Sequence, residues 1–288
     1  MYGHGRRRDK VNDEPAPIGT DPSVPSVARI YDYYIGGKDN YAVDRAAADE
    51  AARLHPGGLD ALRAGGLQNR RFLANAVNYL AGEVGIRQFL DIGTGLPTAD
   101  NTHEVAQRAA PTSRIVYVDH DPVVLAHARA LLTSTPEGAT SYIDADLRDP
   151  DKILRQAADT LDFTQPVAIM LIAVLHVIDD ADHPYQIVRD LMAAVPPGSY
   201  LAISHLTADI SATAEAEAMT FFARALSERM VENMVLRDRA GITRFFDGLE
   251  LVEPGVVQPD QWRTATGPSV PSTVAVYCGV GRKPDTPS

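Results

Sequence analysis

The chain reads as an α/β protein built on a doubly wound, mainly parallel sheet, and three observations point there. Five short apolar runs, at about 88–92, 114–119, 140–145, 167–173 and 199–205, alternate with segments of helical periodicity. The first run is followed at once by the turn Gly93-Thr94-Gly95, where glycines allow positive φ and close approach of a ligand. Successive runs end in acids: Asp91 near the end of the first, Asp119 closing the second, Asp144 and Asp146 after the third. In such a sheet, ligands bind outside the carboxyl ends of the strands.

Taken in order, residues 1–25 carry Gly, Pro and charge without periodicity, including Arg6-Arg7-Arg8, and are expected to be a disordered tail. A helical extension is expected over 26–84. Within it, Tyr31, Tyr33, Tyr34 and Tyr41 crowd around Gly36-Gly37-Lys38-Asp39-Asn40. Tyrosines with flat faces and polar tips suit a half-wet pocket wall or lid, or a short helix that staples the N-terminus down. Gly36-Gly37-Lys38 lacks the upstream Gly spacing and following Ser/Thr of a P-loop. An Ala-rich helix is predicted over 44–55, stopped by Pro56-Gly57-Gly58, and a second over 68–82 with Leu73, Ala76, Val77 and Leu80 on one face.

The binding domain is expected over 85–283. After the first strand, Asn101 with Glu104 three residues on forms a capping-box signature for a helix over 101–110. Pro122 sits in the first turn of the next predicted helix, 122–132, where its missing N–H costs nothing. Helices over 151–159 and 183–195 flank the fourth strand. A long helix is predicted over 211–234, with Met219, Phe222, Leu226, Met230 and Met234 as a core stripe, and a further one over 238–246. Two last strands, 249–257 and 273–280, have no helix between them, which predicts an antiparallel final strand.

Composition narrows the function. With 288 residues, 45% hydrophobic and 23% charged, the chain is an ordinary globular sequence. A net charge of −11 argues against a nucleic-acid partner, which needs a basic face. The longest apolar run, 167–175, is far short of the ~20 residues that cross a bilayer, and no apolar signal segment follows the first residues. A single cysteine, Cys278, excludes an intrachain disulfide and fits a reducing, cytoplasmic setting.

The strand-end acids describe an adenosine-containing ligand. Asp119 can accept both hydroxyls of a ribose, and Asp146 with the backbone of Leu147 can read an adenine amino group. Each acid alone could equally cap a helix. Thr98 stands where a dinucleotide fingerprint has its third glycine, and Asp91 would repel a pyrophosphate. The same carboxylate suits a ligand carrying an ammonium and a sulfonium. S-adenosylmethionine fits that description and NAD does not.

Residues 89–98, Tyr117-Val118-Asp119-His120-Asp121-Pro122, Asp144-Ala145-Asp146-Leu147 and Leu175-His176 resemble the ordered motifs of class I S-adenosylmethionine-dependent methyltransferases. The segment 28–40 and the Asn69-Arg70 pair resemble a narrower bacterial subfamily of S-adenosyl methyltransferases first described as a domain of unknown function. The resemblance implies a Rossmann-like, seven-stranded sheet with the last strand antiparallel. It places Gly93, Thr94 and Gly95 against the methionine part, Asp119 with His120 at the ribose, Asp146 and Leu147 at the adenine, and Ala173 on the rim. Tyr34, Gly36, Gly37 and Asn40 would close over the site. Leu96-Pro97-Thr98 departs from the further glycine many such enzymes carry, which bears on the loop path.

Methyl transfer needs mainly in-line positioning, and a base where the acceptor must lose a proton. His176 and His205, after the fourth and fifth strands, are the two candidates, and a purely structural role fits either equally. His176, Asp179, Asp180, Asp182 and His183 could also suggest a metal site, but consecutive loop acids more often cap the next helix, and no metal is expected. The expectation is a methyltransferase with a small-molecule acceptor. The competing reading is a non-catalytic protein that binds the nucleoside as sensor or scaffold.

Overall fold

The computed structural model describes residues 21–55, 57–131, 133–209, 213–227, 233–264 and 274–285. The first twenty residues of the expected tail, and Met230 of the expected stripe, lie outside them.

Helices α1 (Val27–Tyr34), α2 (Ala42–Leu54) and α3 (Gly58–Asn78) precede the sheet, and α3 runs on through a π-helical turn, Tyr79–Val84. Then β1 (Gln88–Ile92), α4 (Thr102–Ala109), β2 (Arg114–Asp119), α5 (Pro122–Leu131), β3 (Ala139–Asp144), α6 (Pro150–Ala157), β4 (Ala168–Ile172), α7 (Pro184–Ala193) and β5 (Tyr200–Leu206) alternate. Helix α8 (Thr213–Ser227), a short α9 (Arg239–Thr243), β6 (Glu250–Leu251) and β7 (Val276–Arg282) complete the chain.

The seven strands form one sheet in the order β3-β2-β1-β4-β5-β7-β6, with β7 antiparallel to both neighbours. The order reverses at β1/β4, which makes the carboxyl ends of those strands the switch point where open α/β sheets take their ligands.

Alternation along the strands divides the core into two layers, because successive side chains face opposite sides. Leu90, Ile92, Val116, Val118, Ile169 and Leu171 pack with Ile153 of α6 and Ile187, Val188 and Leu191 of α7. Phe89, Ile115, Tyr117, Met170 and Cys278 pack on the other face with Phe72, Leu73, Ala76, Val77 and Leu80 of the α3 segment. Asp91 and Asp119 share strand parity with Phe89 and Tyr117 and so belong to the α3 side.

Two elements differ from expectation. Helix α3 begins at Gly58, not near 68, and passes straight through Gly65 and Gly66. Each glycine costs ~1 kcal/mol of helix propensity, so the pair reads as a break. Packing overrides that cost: a Cβ on Gly66 would stand 2.8 Å from Ile35 Cγ2, so glycine lets α1 lie close against α3. In the last helical region α8 reaches Ser227, and residues 233–238 are irregular. Met234, outside that helix, nevertheless packs against the cluster that contains Met219 and Phe222.

The strand expected over 249–257 is a two-residue β6 with a bridge from Val257 to Cys278. No helix among the described residues is long and apolar enough to cross a membrane.

Candidate active site

A cavity of about 260 Å³ opens above the carboxyl ends of β1, β2, β4 and β5, closed on one side by α1 and α3. Gly93, Thr94, Gly95, Asp91, Asp119, His120, Ala173, Tyr34, His176 and His205 all line it, so most of the residues picked from sequence converge on one space.

The glycine turn is built by folding the chain back over the end of β2. Gly93 and Thr94 donate their N–H groups to Val118 O at 2.8 and 3.3 Å, and Gly95 N–H donates to Asp119 Oδ2 at 2.9 Å. Both glycines hold positive φ, 73° and 67°, a region L side chains rarely adopt. A Cβ on Gly93 would come within 2.4 Å of Val174 Cγ2, whereas one on Gly95 would meet open space. Gly93 is thus required by packing, and Gly95 keeps the cavity open.

Asp91 is only 4% exposed and accepts a 2.5 Å hydrogen bond from Thr102 Oγ1. Burial pushes its carboxyl up to about 6, opposed by the Thr102 bond and by Arg70, and reinforced by Asp119. Asp119, 9% exposed, accepts from the N–H groups of Gly95 and Asp121 and is also raised, chiefly by burial. Arg70 spends hydrogen bonds on Ala99 O and Asp100 O and is the one arginine or lysine lining the cavity among the described residues. Two buried carboxylates beside one engaged cation form a pocket short of positive charge. A cationic ligand would relieve the desolvation cost both acids carry.

Ala173, with φ 56°, sits in the left-handed region without being glycine. Its N–H is held by Ser204 O and Ser204 Oγ at 3.1 and 2.9 Å. Sparsely populated backbone of this kind concentrates at functional sites.

Asp146, Leu147, Gly36, Gly37 and Asn40 do not line the cavity. The Asp146 carboxylate turns to Arg148, accepting from its backbone N–H and its guanidinium at 2.8 and 2.9 Å. The Leu147 side chain is buried in the core with Ile143 and Ile153. The Gly36–Asn40 motif instead builds the α1–α2 turn around Asp32. Gly37 N–H donates to Asp32 O, the Asn40 amide donates to Asp32 Oδ2 at 2.8 Å, and a Cβ on Gly37 would collide with that carboxylate. Staple and wall therefore coexist: the turn is structural, while Tyr31 and Tyr34 of α1 face the cavity.

That helix is fastened across the mouth. Ser26 Oγ donates to Asp121 Oδ2 at 2.7 Å, and Ala28 packs on Leu96, Val123 and Val124. Asp44 anchors its base, paired with Arg29 at 2.8 Å and accepting from Ser26 N–H at 3.0 Å.

The two histidines part company. His205 Nδ1–H donates to Leu206 O at 2.6 Å, and its Nε2 accepts from the Arg237 guanidinium at 2.9 Å. Arginine only donates, so this tautomer is forced and the lone pair is taken. Burial, His176 and Arg237 hold the ring neutral, far below its usual range. The structure withdraws His205 from the role of base. His176 is equally buried and held down to about 4 by burial and Arg237, but its Nδ1 has no partner.

The loop acids after His176 are each engaged: Asp179 caps Ala181, Asp180 pairs with Arg237 and Asp182 with Arg148.

Sequence reasoning missed Ser26, Thr102 and Ser204, and it named Asn69 and Asp121 only within motifs, without a role. Asn69 is buried in α3, its Oδ1 accepting from Ser204 Oγ at 2.5 Å and its amide donating to Tyr31 Oη at 3.1 Å. The available signal was an asparagine, a weak helix former, in mid-helix beside apolar neighbours.

Comparison with known proteins places the chain in a family. No curated protein matches the chain. A solved DUF574-family protein from Streptomyces avermitilis is 47% identical, covering 92% of this chain and 99% of its own, with a TM-score of 0.85. A candidate methyltransferase from Thermobifida fusca is 42% identical over 91% and 96% of the two chains, with a TM-score of 0.81. Residues 13–284 match the family described as S-adenosyl methyltransferase. With its Rossmann-like sheet and an acid-lined cleft suited to S-adenosylmethionine as cofactor, the chain belongs to the S-adenosyl methyltransferase family.

Proposed function

We propose that the protein transfers a methyl group from S-adenosylmethionine to a small-molecule acceptor in the cavity above β1 and β4. The observation that carries this is the pair of buried, raised carboxylates, Asp91 and Asp119, on either side of a glycine turn that leaves open space at Gly95. The residues present fit the cofactor: Asp91 for its cationic end, Gly93 to Gly95 for close backbone approach, and Asp119 for the ribose. When bound, the cofactor supplies a methyl on a cationic sulfur, which leaves with the C–S electron pair as the acceptor's lone pair takes the carbon.

The chain's own contribution is binding, orientation and exclusion of water. His176 orients the acceptor by accepting a hydrogen bond from its O–H or N–H at Nδ1. A ring held near 4 is neutral at pH 7, and in its Nε2–H tautomer the Nδ1 lone pair is available. It is a weak base, but a hydroxyl proton becomes strongly acidic as the new O–C bond forms, and a weak base then suffices; an amine acceptor needs only the orienting hydrogen bond.

Titration calorimetry with S-adenosylmethionine and S-adenosylhomocysteine tests the cofactor half. Micromolar binding that falls at least ~10-fold in Asp119→Ala is expected, and no binding at millimolar ligand overturns it. Label transfer from methyl-labelled cofactor into fractionated small-molecule extracts tests turnover. Tight binding without transfer into any fraction would leave the sensor reading in its place.

A further inference from the structure

The cavity extends beyond the residues suited to the cofactor, into a space between α3 and α8. There Leu62 meets Met219, Phe222, Met234 and Ala275 in one apolar cluster, and His55 stands edge-on to Phe222 with ring centroids 5.1 Å apart. Burial lowers His55 below its usual range and so favours its neutral form. No Lys, Arg, Asp or Glu lines this space among the described residues. The one arginine or lysine lining the cavity among the described residues, Arg70, is bonded to Ala99 O and Asp100 O at the cofactor end.

The polar groups on the floor are already satisfied by one another. Ser204 Oγ donates to Asn69, Asn69 to Tyr31 Oη, and Tyr31 Oη to Gly66 O at 3.0 Å. His176 lines the cavity, and its Nδ1 is buried without a partner among the described residues.

We infer that the acceptor is an uncharged, largely apolar small molecule carrying one hydroxyl or amine N–H, its body seated between α3 and α8 and its polar group on His176. This rests on the methyl-transfer reading above and narrows it to a substrate class. An anionic acceptor would be buried without a counter-charge and would approach Asp91, and a buried unpaired charge is heavily penalised. A cationic acceptor would find no carboxylate in the α3–α8 space. Two methionine side chains, flexible and polarisable, suit a ring that varies in shape.

The test uses the full chain saturated with S-adenosylhomocysteine and two probes that differ by one charge, 2-naphthol and 6-hydroxy-2-naphthoate. Binding is followed by probe fluorescence. Native protein is expected to bind 2-naphthol with a submillimolar Kd and the carboxylate at least ~10-fold more weakly. Leu62→Lys places a cation in the wall and is expected to reverse that order, while S-adenosylhomocysteine affinity stays within about twofold.

Equal or tighter binding of the carboxylate by native protein overturns the inference, as does failure of both probes to bind. An unchanged order in a Leu62→Lys variant that still binds S-adenosylhomocysteine overturns it too. The native comparison decides alone if that variant does not fold. Absence of S-adenosylhomocysteine binding by native protein would instead strike the methyl-transfer reading, so the two failures are separable.

Discussion

The backbone N–H of Gly95 donates to Asp119 Oδ2 at 2.9 Å. The carboxylate suited to the ribose thus also holds the glycine turn in shape, and the two roles share one side chain. Asp119→Asn keeps an oxygen for Gly95 but loses the charge, whereas Asp119→Ala loses both. Calorimetry with S-adenosylhomocysteine should give a ~10-fold loss for the amide and ~100-fold for alanine, consistent with ~1.5–3 kcal/mol for a charged hydrogen bond. Native affinity in the amide with a loss confined to alanine would mean that the carboxylate serves only the loop.

Asp91 should set a stability–binding trade-off. Its folded-state pKa, about 6, lies above the unfolded value of about 4. Folding therefore takes up a proton between those values, and the favourable contribution, full below about pH 4, is lost as pH rises through about 6. Asp119, raised in the same direction, adds to the trend. Asp91→Asn should stabilise the ligand-free protein by about 1–3 kcal/mol at pH 8 and by almost nothing at pH 4. Denaturant melts at both values check this, and the variant should bind S-adenosylmethionine poorly.

Ligand affinity should carry the complementary dependence. A cation needs Asp91 ionised, so S-adenosylmethionine affinity should fall as pH drops below about 6, approaching ~10-fold per unit. Calorimetry between pH 5 and 8 would show it, and the Asp91→Asn variant should be flat.

The two glycines of the turn should fail differently. Both force alanine into left-handed backbone at a cost of ~1–2 kcal/mol, but only Gly93→Ala also drives a methyl into Val174. Gly93→Ala should lower Tm markedly. Gly95→Ala should fold with a smaller loss, yet bind the cofactor at least ~10-fold more weakly because its methyl enters the cavity. Thermal melts paired with calorimetry separate the two.

Helix α1 should govern access. Ser26→Ala removes the hydroxyl that donates to Asp121, worth ~1 kcal/mol. Stopped-flow measurement should show S-adenosylhomocysteine leaving about fivefold faster. An unchanged rate would mean that the cofactor leaves by another route.

Much of this was legible along the chain because it rests on local periodicity and short-range chemistry. β2 spans 114–119 as predicted, and Asn101 with Glu104 forms the expected capping box. Asp91, Gly93 and Asp119 sit where strand ends must put them. α3 was harder, since Gly65 and Gly66 look like a stop until Ile35 is seen to lie 2.8 Å from where a Cβ would be.

The sequence by itself determined the alternation of strands and helices, the antiparallel end and the acid-lined rim, because side-chain period and turn chemistry are encoded within a few residues. Only the tertiary structure decided that Arg237, thirty-two residues from His205, occupies its lone pair and that Nδ1 of His176 is left without a partner. It also turned Asp146 toward Arg148 and brought Leu62 to Met219 and Met234. Those outcomes depend on which distant groups reach one another once the sheet is assembled, and no local pattern records that.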